Sequence, residues 1–353
     1  MSINLLIVEN EEPQRKLLRD AIEIFNKKSE IDIILDEASG LEQGLEKIRT
    51  NHYDAAIVDL RIEQNDVIGL GNTILKEIKQ KLRFPVRVIS GHLGDLDPEL
   101  QDENSLFRCY ARGDEEYDVL LDEIKDIHLS GIVGILNNKG LIENSINLIF
   151  WKHISVILPE MISHKKAFPE FEIEKVLLRY ISTHIQEYLE LSVDNNLEPV
   201  HNIEFYIKPS IKEKIFTGDI IKLKDQSLAI VLTPACDLAT DSKRKIPKAT
   251  YITIAKIESI ESINNGKKSD DVKKLKTNSL DLKYHYLPPT SFFQGGFVNF
   301  QNLNSINIKK ENGELEDLST FFSIECVITN SFRKDIVSRF SNYFSRQGQP
   351  IVE

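Results

Sequence analysis

The chain is poor in the residues that staple or anchor a fold. Only three of its 353 residues are cysteine, Cys109, Cys236 and Cys326, odd in number and far apart. They offer no disulfide framework, which fits a reducing cytoplasm. No apolar run approaches the roughly 18 to 20 residues of a membrane-spanning helix. No basic stretch precedes an apolar one at the start, so a secretory leader is not expected either. The eight histidines are scattered, and no Cys/His pair has zinc-ligand spacing. There is no internal repeat and no long low-complexity segment, which sets aside solenoids and collagen-like arrays.

A hydrophobic content of 41% suffices for ordinary globular cores, and the length suits two or three domains. The net charge of −11 is unevenly placed. Residues 1–128 carry 28 acidic and 16 basic side chains, a net of −12, and the remainder is close to neutral at +1. An acidic first region suits a hard cation or a basic partner surface, and equally a solvated acidic face.

Strands and helices alternate strictly in residues 1–128. Strands are predicted at 3–8, 31–35, 54–59, 86–89 and 106–110, and helices at 12–26, 40–51, 70–82 and 116–127. That alternation implies an α/β fold, a doubly wound five-stranded parallel sheet with helices on both faces. Residues 129–192 form a linker and helical segment. Its stretch 129–142 reads as a Gly- and Asn-containing connection. Helices follow at 143–158, closed by Pro159, and at 171–191. Their one-sided apolar stripes suit either packing on each other or pairing two copies of the chain. From residue 193 the period changes to two. Short strands at 204–207, 218–224, 228–233, 250–257, 297–300 and 322–329, then a helix at 331–346, make a β-rich, barrel-like domain. The Lys- and Asp-rich stretch 264–279 reads as an exposed loop.

Three strand ends in the first region could converge. The run Ala55-Ala56-Ile57-Val58 stops at Asp59, the first strand stops at Glu9-Asn10-Glu11, and the fourth at Ser90-Gly91. In an open parallel sheet, ligands and chemistry collect at the carboxyl ends of strands. The order and spacing of these residues resemble the receiver domain of two-component response regulators, over roughly residues 1–128. The resemblance implies a phosphoryl group accepted on Asp59 from a histidine kinase. It also implies Mg²⁺ held by Asp59 with Glu9 and Asn10, and a hydroxyl, Ser90, that reads the phosphoryl group. The family's second acid is replaced here by Asn10, which brings an amide oxygen but no charge. The family's Lys, usually followed by Pro, is best matched by Arg112 followed by Gly113, and Arg is not a conservative exchange for Lys. The family's aromatic falls on Cys109 or Tyr110. The loop after Asp59 is longer, through Arg61 to Asp66. Two readings stand: a phosphorylated receiver, or a pseudo-receiver that switches by protein contact.

In the second half, Gly218 to Leu223, Ala229 to Pro234 and Ala249 to Ile254 resemble the strand order of MazF/PemK-like toxin barrels. The family's long first hairpin loop with a catalytic Arg is replaced by the tight turn Lys224 to Ser227. A nuclease is therefore not expected, and a barrel kept as a binding scaffold is the inference. Cys236 reads as a small hydrophobe more than as a nucleophile. Arg333, Lys334, Arg339 and Arg346 lie beside Phe332, Phe340, Tyr343 and Phe344 on the last helix. That combination fits nucleic acid or a helix packed on the barrel with a solvated basic face. The function expected is an atypical response regulator: a phosphoacceptor that is not itself a hydrolytic enzyme, controls a protein-interaction output, and serves intracellular signalling or anti-phage defence. The alternative is a receiver-gated RNA- or DNA-binding effector.

Overall fold

A computed structural model describes residues 2–62, 69–113, 117–137, 140–168, 170, 172–190, 196, 198–241, 243–266, 268–310 and 313–346. The chain divides into two compact units, Met1–Asn196 and Leu197–Glu353, and the helical segment is grouped with the first.

The first unit opens with β1 (Ser2–Val8), α1 (Glu12–Lys28), β2 (Asp32–Ala38), α2 (Leu41–Thr50), β3 (Ala55–Val58), α3 (Gly71–Lys81), β4 (Val86–Ser90), β5 (Phe107–Ala111) and α4 (Tyr117–Leu129). The strands form one parallel sheet in the order β2-β1-β3-β4-β5, the flavodoxin-like doubly wound order. Side-chain alternation sends Leu6, Val8, Ala56, Val58 and Val88 to one face, where they meet Ile74 and Ile78 of α3. Leu5, Ile7, Ala55 and Ile57 face the other way, onto Leu18 and Ile22 of α1 and Leu120 and Ile124 of α4. Burial on both faces explains the unbroken apolar run of β3, each large aliphatic contributing about 1.5–3 kcal/mol. The strand order reverses between β1 and β3, which opens a crevice beyond their carboxyl ends.

The β4–β5 crossover contains no α-helix. It holds two 3₁₀ turns, Leu93–Asp95 and Pro98–Leu100, and seals the layer with Leu96 and Leu100. Asn72 at the start of α3 secures it, donating to Asp95 O at 2.8 Å and accepting from Asp97 N–H at 3.0 Å.

The expected linker carries a short helix, α5 (Ile132–Leu136), followed by α6 (Leu141–Ile149), α7 (Ser155–Ala167) and α8 (Ile173–Glu190). Pro159 does not close a helix as its type suggested; it lies inside α7. A π-type turn, Phe150–Ile154, comes just before, and a disturbed hydrogen-bond ladder of that kind tolerates a proline ring. α7 and α8 bury no side chain fully, and they leave Val156, Leu178 and Leu189 largely exposed.

The second unit contains β6 (Tyr206–Ile207), β7 (Asp219–Leu223), β8 (Leu228–Val231), α9 (Ala235–Leu238), β9 (Tyr251–Glu258), α10 (Ile260–Asn264), α11 (Ser269–Lys276), β10 (Tyr284–Leu287), β11 (Gly296–Asn307), β12 (Phe322–Ile328) and α12 (Asn330–Phe344). Seven strands form an antiparallel sheet ordered β10-β11-β9-β8-β7-β12-β6. Ile220, Ile230, Val298 and Phe300 point to the face covered by Ile336 of α12, and Ile221, Val231, Ile252 and Ile308 to the other. Part of the stretch expected to be a loop is helical: α11 buries Leu275 against Ile263 and Phe297. One apolar anchor was enough to order an otherwise charged segment.

Candidate functional site

β1 and β3 run side by side, with Val8 opposite Val58, and the Asp59 N–H donates to Val8 O at 2.9 Å. Glu9 and Asp59 therefore leave the sheet as neighbours, 5% and 4% exposed. Two buried carboxylates need compensation. It comes from Arg112, just past β5. Its N–H donates to Ser90 O at 3.1 Å, and Gly113 turns the chain at φ +95°, a left-handed conformation that favours glycine. The Arg112 Nη2 lies 2.7 Å from Glu9 Oε2 and 3.3 Å from Asp59 Oδ2, and Nη1 lies 3.2 Å from Glu11 Oε2. One planar fork thus serves three acids, which a point-charge ammonium could not do in the same way.

The remaining oxygens are treated unequally. Glu9 Oε1 accepts the Glu11 N–H at 2.9 Å. With its amide oriented to donate, Asn10 bonds Glu9 Oε1 at 3.1 Å and Arg61 O at 3.2 Å. Asp59 Oδ1 is buried with no hydrogen-bond partner among the described residues. Burial pushes the Glu9 carboxyl up to about 7; the Glu11 N–H and Arg112 oppose the shift and the charge of Asp59 adds to it. Ser90 is 1% exposed at the end of the adjacent strand. Its hydroxyl accepts the His92 N–H at 3.3 Å, and among the described residues no hydrogen bond joins it to Asp59.

Glu9, Asn10, Asp59, Ser90 and Arg112, the residues singled out from sequence, thus come together from four strand ends. Three contributors went unnoticed there. Gly71 is required by close approach: a Cβ would overlap the Asp59 carbonyl oxygen and sit 2.7 Å from Leu60 Cα. Its N–H donates to Leu60 O at 3.2 Å. Arg61 Nε pairs with Asp95 Oδ2 at 2.7 Å and so ties the segment after Asp59 to the β4–β5 crossover. Asn72 holds the same crossover, as described above. The dipeptide Leu70-Gly71 after a loop was a visible but weak signal. Glu63 to Asp66, the rest of the long loop, lie outside the described residues.

The two candidates for an aromatic partner separate by face. Cys109 packs with the α3 layer, where burial pushes its thiol up to about 11. Tyr110 turns to the α4 layer and donates its hydroxyl to Glu123 at 2.9 Å. Beside it Arg87, 1% exposed, also bonds Glu123, at 3.1 Å.

A divalent cation on Glu9, Asn10 and Asp59 would follow from the sequence. Mg²⁺ demands near-octahedral hard oxygen donors at about 2.0–2.1 Å. Asp59 Oδ1 suits that demand. The facing oxygens Glu9 Oε2 and Asp59 Oδ2 do not, because both are already on Arg112 Nη2. Asn10 presents a donor to Glu9. Among the described residues no cluster of three or more His, Cys, Asp or Glu side chains is placed to hold a metal. As arranged, the residues do not fit a bound divalent ion.

Elsewhere, Cys236 is exposed, and the hydrogen bond it makes is to its neighbour Asp237, at 3.7 Å. On α12, Phe332, Phe340 and Tyr343 pack into the core of the sheet, while Phe344 is 55% exposed. Arg333 bonds Asn330, Arg339 bonds Tyr284 O, and Arg346 lies over the Tyr343 ring.

No family model and no curated protein matches the chain. Solved structures do, over about a third of it. An N-terminal domain of a response regulator/sensory box/GGDEF three-domain protein from Carboxydothermus hydrogenoformans is 20% identical, covering 36% of this chain and 95% of its own, with a TM-score of 0.27. The receiver domain of the Francisella response regulator 1452 is 17% identical over 36% of this chain and 98% of its own, with a TM-score of 0.26. The response regulator TrrA from Thermotoga maritima, in complex with Mg²⁺ and a beryllium fluoride, is 19% identical over 35% and 98%, with a TM-score of 0.26. The likeness of the second half to MazF/PemK-like barrels finds no support among the matches. No helix among the described residues is long and apolar enough to cross a membrane.

Proposed function

We propose that the first unit is a receiver-like phosphoacceptor whose modified residue is Asp59, and that it controls an interaction output carried by residues 193–353. The observation that carries this reading is the Asp59 carboxylate: buried at the switch point of the sheet, flanked by a guanidinium, and with Oδ1 unpartnered. In the reaction an Asp59 oxygen attacks the phosphorus of a histidine-kinase phosphohistidine or of acetyl phosphate. The new P–O bond forms as the bond to the donor breaks, and the donor leaves with the electron pair. Arg112 neutralises charge on the acceptor side. The Ser90 hydroxyl, released from His92 N–H, turns to the new phosphoryl oxygens and draws its loop with it, a local charge event read by a two-state element. Arg61–Asp95 and Asn72 connect that loop to the site's other wall.

No hydrolytic step is assigned to the chain. The exposed apolar residues of α7 and α8 support their use in pairing two copies of the chain. The nucleic-acid alternative has less to draw on, since three of the four aromatics on α12 are spent in the core. The deciding experiment treats the whole chain with labelled acetyl phosphate. A covalent, base-labile label is expected on the wild type and not on Asp59→Asn. Equal labelling, or none on either, defeats the acceptor reading and leaves a contact-driven pseudo-receiver.

A further inference from the structure

We propose that Arg112 is a built-in cation of the acidic site: it occupies the bridge between Glu9 and Asp59, keeps divalent ions out, and supplies from the chain itself the positive charge that an anion on Asp59 would need. The inference rests on the receiver-like reading only for the identity of that anion. The charge arrangement stands on geometry alone. A single nitrogen, Nη2, is within reach of both Glu9 Oε2 and Asp59 Oδ2, and Nη1 takes Glu11, so both terminal nitrogens of the fork meet acids from two strand ends. The base of the Arg112 side chain is fixed by the backbone, which is pinned to Ser90 O, and Gly113 fixes the turn behind it. Asn10 completes the arrangement. A second acid there would leave the site over-charged for one cation; an amide instead donates to Glu9. Two of the departures from the receiver pattern therefore meet at one place: Asn10 removes a negative charge, and Arg112 keeps the positive charge but spreads it over a fork in contact with the acids that remain.

Asp59 Oδ1, which has no hydrogen-bond partner among the described residues, is where the incoming group would bond. Oδ2 is turned toward Arg112 and Oδ1 away from it, and the Nη2 atom beside them would contact the oxygens of a phosphoryl group formed on Oδ1.

The test uses the full chain and Mn²⁺ as the probe, read by the paramagnetic resonance signal of the free ion. Wild type and Asp59→Asn should retain the same small amount of Mn²⁺. Arg112→Gln, which leaves two buried carboxylates facing each other, should bind Mn²⁺ at least about tenfold more tightly than wild type and gain thermal stability from it. Arg112→Lys, which keeps the charge but loses the fork, should fall between; it also serves if the glutamine variant does not fold. Tight binding to the wild type that is lost in Asp59→Asn overturns the proposal. So does failure of both Arg112 variants to exceed the wild type. The label from acetyl phosphate, measured in chelator, separates this from the acceptor reading. An unlabelled chain with the Mn²⁺ pattern as expected sinks the acceptor reading alone. A chain labelled only with divalent ion present sinks the built-in cation alone.

Discussion

The two units each bury carboxylates, and they do so to different ends. Glu9 and Asp59 stand at neighbouring strand ends, share Arg112, and meet Ser90 from a third strand. Asp219, at the start of β7, is 0% exposed as well. Its Oδ2 accepts the Phe216 N–H at 2.6 Å, three residues away, and its Oδ1 has no partner. Lys212 and Arg333 act on it through space, with no ion pair among the described residues. Burial and an orphaned oxygen are thus common to both. What sets the first apart is convergence: groups distant in sequence are brought together where a ligand could reach them. Asp219 locks a turn of its own chain. Convergence, more than burial, marks the candidate site.

The comparison can be broken by substitutions, and the largest effect is expected at Gly71. Gly71→Ala forces a methyl into the Asp59 carbonyl and should cost about 4 kcal/mol, seen as a lowered melting temperature together with lost labelling of Asp59. Asp219→Asn should act in the opposite direction. Burial pushes the Asp219 carboxyl up to about 6 from 3.8, so between those values the folded chain holds a proton that the unfolded chain releases. Stability from this group is full below pH 3.8 and falls as pH rises to 6. The amide should therefore stabilise by about 3 kcal/mol at pH 8 and by almost nothing near pH 3.5, measured by urea unfolding at the two pH values. If the gain is the same at both, the buried charge is not the cause.

His285 offers a smaller effect with the reverse sign. It is 2% exposed, neither ring nitrogen has a hydrogen-bond partner among the described residues, and burial pushes it down to about 3, with Arg339 adding to the shift. Asp335 faces it at 3.8 Å. Its contribution is intact above pH 6.5 and is lost as pH falls toward 3. His285→Leu should thus remove about 2 kcal/mol of acid sensitivity between pH 7 and pH 5. A wild-type-like acid slope in the variant would place that sensitivity elsewhere. The smallest change is expected for Ser90→Ala, within about 1 kcal/mol of wild-type stability, because its hydroxyl holds a single long bond. Its signature should instead be a changed lifetime of the phosphoryl label. An unchanged lifetime would remove Ser90 from the switch.

The first unit was the more legible in sequence because its signals are local. An apolar run buried on both faces reads as a strand wherever it occurs, and β3 ending at Asp59 needed nothing more. Asp59, Glu9 and Ser90 could be aligned because strand ends in a parallel sheet fall on one edge. Arg87 could not be read, since an arginine inside β4 is satisfied by Glu123 of α4, thirty-six residues on, together with the Val86 and Ser105 carbonyls. Gly71 likewise takes its meaning from a carbonyl across the loop. In the second unit the misses have the same origin. α11 looked like a solvated loop because one residue, Leu275, decides its packing. β10 carries Tyr284, His285 and Tyr286, whose alternation shows only once α10 and α11 cover the tyrosines and α12 lies beside the histidine.

The bond from Gly71 N–H to Leu60 O shuts the base of the loop that follows Asp59. A closed base separates the length of a loop from the geometry it leaves behind. Lengthening such a loop twofold adds only about 0.6 kcal/mol of closure entropy. Residues added or removed between Leu60 and Gly71 should therefore change the stability of the unit little.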